Sequence, residues 1–110
     1  MDMKVYFKED GDILRGFVEG EIDAYTAPQL REGLDAAEVT EGTQIEVDLT
    51  HVNYIDSTGL GVFVAFYKRV QREGGDVRLV GLSERIQRLF EITGLSELMN
   101  IQGEKKVELS

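Results

Sequence analysis

Apolar residues recur along this chain at two spacings, and the change from one to the other falls near its middle. From Gln44 to Thr50, apolar Ile45, Val47 and Leu49 alternate with Glu46, Asp48 and Thr50, the period of a strand with one buried face. From Leu60 to Val70 the apolar residues crowd together, and Lys68, Arg69, Gln71 and Arg72 close the segment, which predicts a helix with cations in its last turn. Lys4 to Phe7 and Ile13 to Val18 read as two further strands, joined through Glu9-Asp10-Gly11-Asp12 with its Asp-Gly turn signal. Gly20-Glu21-Ile22-Asp23 closes the second of them. Thr26 then stands where a helix cap is expected, Pro28 falls in the first turn, where its missing N–H does no harm, and Leu30, Leu34 and Ala37 follow at helical spacing. Thr40-Glu41-Gly42 is a loop, Gly74-Gly75 stops the central helix, and Val77 to Val80 forms a short strand ending at Gly81. Ser83 is placed to cap a helix that shares Ile86, Leu89, Phe90 and Thr93 on one face and ends at Gly94. Leu95 to Asn100 reads as one more helical turn, and 102–110, above all Lys105 to Ser110, as a weakly held tail.

The predicted order is strand, strand, helix, strand, helix, strand, helix. Alternation of this kind implies crossover connections, hence an α/β fold with a mostly parallel mixed sheet, an N-terminal antiparallel hairpin and helices packed on it. At 110 residues the chain suits one domain over 1–110, with a core over about 3–101. Open sheets of this type carry functional loops at the carboxyl ends of their strands. The Asp23 region and the Asp56-Ser57 region both follow such ends, so they are expected side by side.

Composition narrows the function. Hydrophobic residues at 42% and charged residues at 30% fit a globular domain rather than a disordered one. Lys and Arg number 12 against 21 Asp and Glu, a formal charge of −9 that repels phosphate backbones and anionic lipids, so neither nucleic acid nor a membrane is an expected partner. Cysteine is absent, which removes disulfides and thiolate metal sites and fits a reducing compartment. Met1 to Tyr6 lacks a signal-peptide core and no apolar run is long enough to span a bilayer. The expectation is a cytoplasmic protein.

Candidate chemistry gathers at Ile55-Asp56-Ser57-Thr58-Gly59-Leu60-Gly61, where strand gives way to helix. Free N–H groups and the positive end of the macrodipole there favour an oxygen acceptor or an added anion. Asp, Ser and Thr are all good helix caps, so Ser57 is either a cap or a residue that another protein reads. A serine hydrolase fits poorly: the nucleophile elbow needs Gly where Ile55 stands, and the only histidine, His51, precedes the serine and reads as a loop or sheet-edge residue. Gly59 and Gly61 lack the third glycine of a dinucleotide turn, which would fall at Val64, and no Gly-Lys-Ser or Gly-Lys-Thr encodes a phosphate loop. A response-regulator acceptor site would need a Lys after a later strand, where Gly81-Leu82-Ser83 stands instead. One histidine and scattered carboxylates assign no metal, and no cofactor is expected.

At 100° per residue, Gly59, Leu60, Val62, Phe63, Phe66, Tyr67 and Val70 form one arc of the central helix that can pack on the sheet. Ser57, Gly61, Ala65 and Lys68, with Arg72 beyond, line the other side. That stripe is either an ordinary solvated face or a surface whose small residues let a partner's backbone approach Ser57. A phosphate on Ser57 would add roughly −1.5 to −2 charges next to Asp56 and, if the loops adjoin, Asp23 and Glu21. Such a change would act on binding rather than on shape.

Taken together, Gly20-Glu21-Ile22-Asp23 with Thr26-Ala27, Val47-Asp48-Leu49, Tyr54 to Gly61, Gly81-Leu82-Ser83 and Leu89 to Leu95 resemble the bacterial anti-sigma factor antagonists. These are stand-alone STAS domains, and the likeness is greatest to the general-stress-response type of Bacillus-like bacteria. The resemblance covers nearly the whole chain. It implies a regulator and no enzyme: the unphosphorylated antagonist binds an anti-sigma factor that is also a serine kinase, and so releases a sigma factor. The kinase, with its own ATP and magnesium, would phosphorylate Ser57, and a PP2C-type phosphatase would reverse this. The resemblance implies Asp23, Asp56 and Ser57 with the neighbouring hydroxyl of Thr58, and together with Gly59 and the Gly61-Ala65-Lys68 stripe read from helical spacing they make up the expected partner surface. The other reading is an accessory STAS domain that binds a nucleotide or scaffolds a signalling complex, with Ser57 no more than a helix cap.

Overall fold

The computed structural model describes residues 3–103. Strands β1 (Lys4–Asp10) and β2 (Ile13–Ile22) form the expected hairpin, antiparallel with Asp10 opposite Ile13 and a turn at Gly11, whose φ of 64° suits glycine. Helix α1 (Ala27–Asp35), β3 (Gln44–Ile55), α2 (Ser57–Arg72), β4 (Asp76–Leu82) and α3 (Glu84–Ile92) follow in order. The sheet order is β1-β2-β3-β4 with a fifth strand beyond, and every pairing after the hairpin is parallel. The α/β class and the mixed sheet are therefore as expected. Sheet and helices enclose one core, in which Ile22, Leu30, Leu34, Val47, Leu49, Phe63, Val70, Leu79 and Phe90 are fully covered. Across β2, β3 and β4 a charged row offsets this: Glu46 accepts hydrogen bonds from both Arg15 and Arg78.

Two strands differ from the sequence reading. β3 runs five residues past Thr50, to Ile55, which places His51 inside the middle strand, opposite Glu19, rather than in a loop or at an edge. The register explains the error. Phe17 faces Asp48 while Glu19 faces His51, and Gly20 faces Val52 while Glu21 faces Tyr54, so β3 holds an extra residue at each of two bulges. Its buried residues after Val47 and Leu49 are therefore Val52 and Ile55, a spacing that does not look like a strand. At the other end, the helical turn α4 is confined to Leu95–Leu98, and β5 (Asn100–Gly103) pairs with β4 through Arg78 opposite Asn100 and Leu79 opposite Ile101. Gln102 and Gly103 thus belong to the sheet and not to a tail; the tail expected at Lys105 to Ser110 lies outside the described residues. Four residues with one aliphatic side chain carry no readable alternation, and β5 exists through pairing with β4.

Local signals place the helices. Ser83 Oγ accepts the Ile86 N–H at 3.3 Å, capping α3, and Gly94 ends that helix with a φ of 79°. α2 buries Gly59, Leu60, Val62, Phe63, Phe66 and Val70 and half-buries Tyr67, the arc read from its sequence. Among the described residues no helix is long and apolar enough to cross a membrane.

Candidate functional site

β2 and β3 are parallel neighbours that finish level, with Ile22 opposite Ile55, so the turns that leave them lie side by side. The Asp56 N–H donates to Ile22 O at 3.1 Å and ties one turn to the other. The juxtaposition of Asp23 with Asp56 and Ser57 follows from this topology.

After β3 only Asp56 intervenes before α2 begins at Ser57. Asp56 has extended backbone angles (φ −107°, ψ −176°), and its Oδ1 accepts the N–H groups of Thr58 at 2.9 Å and Gly59 at 3.1 Å. Asp56 is thus the cap, a role worth about 1 kcal/mol. Ser57 is the first helical residue; it is exposed, and its hydroxyl makes no hydrogen bond among the described residues. The reading of Ser57 as a cap is corrected here, and of the two occupants expected for the helix N-terminus, an oxygen acceptor or an added anion, the structure holds the first. The Asp56 carboxylate already occupies two of the N–H donors there. A group added to Ser57 Oγ would project outward beside that carboxylate.

The turn after β2 is longer and more closed. Asp23 Oδ1 accepts from Tyr25 N at 2.9 Å and Thr26 N at 3.0 Å, while Thr26 Oγ1 accepts from Asp23 N at 2.9 Å and donates to Glu21 O at 2.8 Å. Thr26, expected to cap α1 with its side chain, does not: its backbone is already helical (φ −92°, ψ −15°) and its hydroxyl is turned back into the turn. The network holds the half-buried Asp23 beside the α2 N-terminus.

Of the remaining expected contact residues, Thr58, Gly61, Ala65 and Lys68 are exposed on α2, continuous with Ser57. Gly59 is different: it is buried, and a Cβ there would overlap Ile22 Cγ2 and come within 2.9 Å of Ile55 Cγ1. It lets α2 close onto the sheet and offers no surface. A Cβ at Gly61 would meet nothing within 4 Å. Sequence reasoning passed over Tyr25, 94% exposed in the turn next to Asp23, and Tyr54, 47% exposed opposite Glu21. Their signal was an aromatic ring in a segment with no core position to fill. His51 stands four strand residues before Ile55, about 13 Å along β3, too far back to serve the Ser57 hydroxyl.

A five-stranded mixed sheet with an Asp-capped helix rising beside a second acidic turn defines the class: the chain belongs to the STAS domain family, whose profile matches residues 5–108. Within it, the chain is 50% identical over 108 residues to an anti-sigma-B factor antagonist of Listeria monocytogenes, covering 94% of this chain and 95% of that protein. It is 42% identical over 106 residues to the anti-sigma-B factor antagonist of Bacillus subtilis, covering 96% of each. The crystal structure of an anti-sigma factor antagonist from Mycobacterium paratuberculosis has the same fold, with a TM-score of 0.77 at 22% identity over 96% of this chain and 88% of that one.

Proposed function

We propose that this protein is an anti-sigma factor antagonist of the cytoplasm that works by partner switching. Its unphosphorylated form binds an anti-sigma factor serine kinase through Asp23, Asp56, Ser57, Thr58 and the Gly61-Ala65-Lys68 stripe, and a sigma factor is released. The kinase, using its own ATP and magnesium, transfers the γ-phosphoryl group to Ser57 Oγ; the hydroxyl proton and ADP leave, and the complex dissociates. A PP2C-type phosphatase hydrolyses the ester and restores binding. No catalytic group is required of this chain.

The observation that carries the reading is the division of labour at the start of α2: Asp56 caps the helix, so the exposed Ser57 hydroxyl is free of structural duty. A phosphate there adds roughly −1.5 to −2 charges beside a carboxylate that is already in place. The fold does not depend on that oxygen, whereas a partner seated over it does. Repulsion and lost contacts of about 3 kcal/mol correspond to roughly a hundredfold in affinity.

The test is titration calorimetry of Ser57→Ala and Ser57→Asp against the anti-sigma kinase encoded in the same genome, with phosphopeptide mass spectrometry after incubation with ATP. We expect both variants to melt within about 2 °C of the parent, Ser57→Ala to bind under all conditions, Ser57→Asp to bind about a hundredfold more weakly, and phosphate to appear on Ser57. Equal binding by both variants, or phosphate elsewhere, refutes the switch and leaves the accessory-domain reading.

A further inference from the structure

The groove between α1 and α2 is floored by Leu34, Val62, Ala65 and Phe66 and rimmed by Arg31, Arg69 and Arg72 with a single carboxylate, Asp35, which lies 4.0 Å from Arg69; its volume is about 200 Å³. Arg69 is committed to the fold: it donates to Ala37 O at 2.7 Å and to Glu73 at 2.9 Å, pinning the end of α1 against α2. Arg31 and Arg72 are exposed, and neither they nor nearby Lys68 have a partner among the described residues. In a chain with 12 cations against 21 anions, unpaired cations gathered where Arg31 of α1 meets the last turns of α2 depart from the charge of the whole.

Their position gives the cluster a direction. Ser57, Gly61, Ala65, Lys68 and Arg72 share one side of α2, and Ser57 lies about 22 Å from Arg72 along the helix. The Ser57 end is acidic, through Asp23 and Asp56, and the groove end is basic. Building on the proposed function, we infer that the groove end is a second contact with the anti-sigma kinase, in which Arg31 and Arg72 receive carboxylate side chains of the partner. A nucleotide is the weaker occupant, because small-molecule pockets run to about 300–1,000 Å³ and this groove is smaller. A partner must then be basic where it meets Asp23 and Asp56 and acidic where it meets the groove, which fixes its orientation on α2. The separation of about 22 Å exceeds the physiological Debye length of about 8 Å, so a phosphate on Ser57 leaves the second contact intact. Rim charges act chiefly on the rate of encounter.

The test is stopped-flow association of the same kinase with the parent chain, with Arg31→Glu/Arg72→Glu and with Arg31→Gln/Arg72→Gln, each at low and high salt, with melting curves to verify folding. We expect the reversal to slow association about tenfold at low salt with a flattened salt dependence, and the glutamine pair to fall between it and the parent. Unchanged association by both folded variants, with the parent binding normally, overturns the second contact and spares the functional reading. ATP retained by the parent in equilibrium dialysis and lost in both variants would assign the groove to a nucleotide and also overturn it. Failure of the parent to bind the kinase at all would defeat the functional reading, and this inference with it.

Discussion

The two turns that leave β2 and β3 are built from the same residue types and use them in opposite ways. In the first, Asp23 and Thr26 satisfy each other: the carboxylate takes two N–H groups, and the hydroxyl takes a third while donating to Glu21 O. In the second, Asp56 alone takes the two N–H groups, and the Ser57 and Thr58 hydroxyls are left in solvent. The chain spends four residues, Asp23 to Thr26, on the first turn and one on the second. A longer turn buries its hydroxyl, and Thr26 is 8% exposed. The short one leaves Ser57 no backbone to fold against. An Asp beside a hydroxyl therefore marks no site by itself; what separates a structural hydroxyl from a free one is how many backbone groups the turn leaves for it to satisfy.

Exchanging the hydroxyls tests that distinction most directly. Thr26→Val keeps the shape but removes the acceptor for Asp23 N and the donor to Glu21 O. A buried group left unpaired costs about 1–3 kcal/mol, and these two are half-buried, so we expect a loss of roughly 2 kcal/mol in urea unfolding. If the proposed function holds, kinase affinity should stay within about threefold, since the hydroxyl is turned back toward Glu21 O and Thr26 is 8% exposed. Ser57→Ala should do the reverse, with no measurable loss of stability and the regulation abolished. A Thr26→Val variant as stable as the parent would show that the two turns are not as different as their hydrogen bonds.

How much of this could be read from the residues follows the same line. The hairpin at Gly11, the buried arc of α2, the Ser83 cap and the Gly94 stop are local signals, and each was legible. The adjacency of Asp23 and Asp56 was legible too, since parallel neighbours in a crossover fold bring their strand ends together. Whether Asp56 or Ser57 caps α2 was not. Both are good caps, and the choice depends on where β3 ends, which its two bulges hide by shifting the buried residues from alternate positions to Val52 and Ile55. β5 escaped because its register comes from β4, and the role of Thr26 because it turns on Glu21 O, a partner that no spacing rule names.

The two glycines of the α2 N-terminus sharpen the comparison further. Replacing Gly59 with Ala sets a methyl group against Ile22 and Ile55, and overpacking of this kind costs about 1–3 kcal/mol. The helix-propensity gain of about 1 kcal/mol offsets part of it, so a net loss near 1 kcal/mol is expected by thermal melting. Gly61→Ala has open space and keeps the propensity gain, so stability should rise by up to about 1 kcal/mol. If the small-residue stripe carries a closely packed partner, the same methyl group should weaken kinase binding several-fold. Stabilisation with full affinity would show that the partner does not approach there.

The smallest effect concerns Asp56 itself, which in this scheme has a structural duty and an electrostatic one. Asp56→Ala removes the cap from Thr58 N and Gly59 N and should cost about 1 kcal/mol. Asp56→Asn keeps an acceptor oxygen and should cost only a few tenths, because Asn caps about as well as Asp. The pair therefore separates the two duties. If the carboxylate charge contributes to the switch, phosphorylated Ser57 in an Asp56→Asn background should lose less affinity than in the parent, while unphosphorylated Asp56→Asn melts almost unchanged. If the phosphate acts alone, the fold-loss on phosphorylation is the same in both backgrounds, and Asp56 shapes the site without charging it.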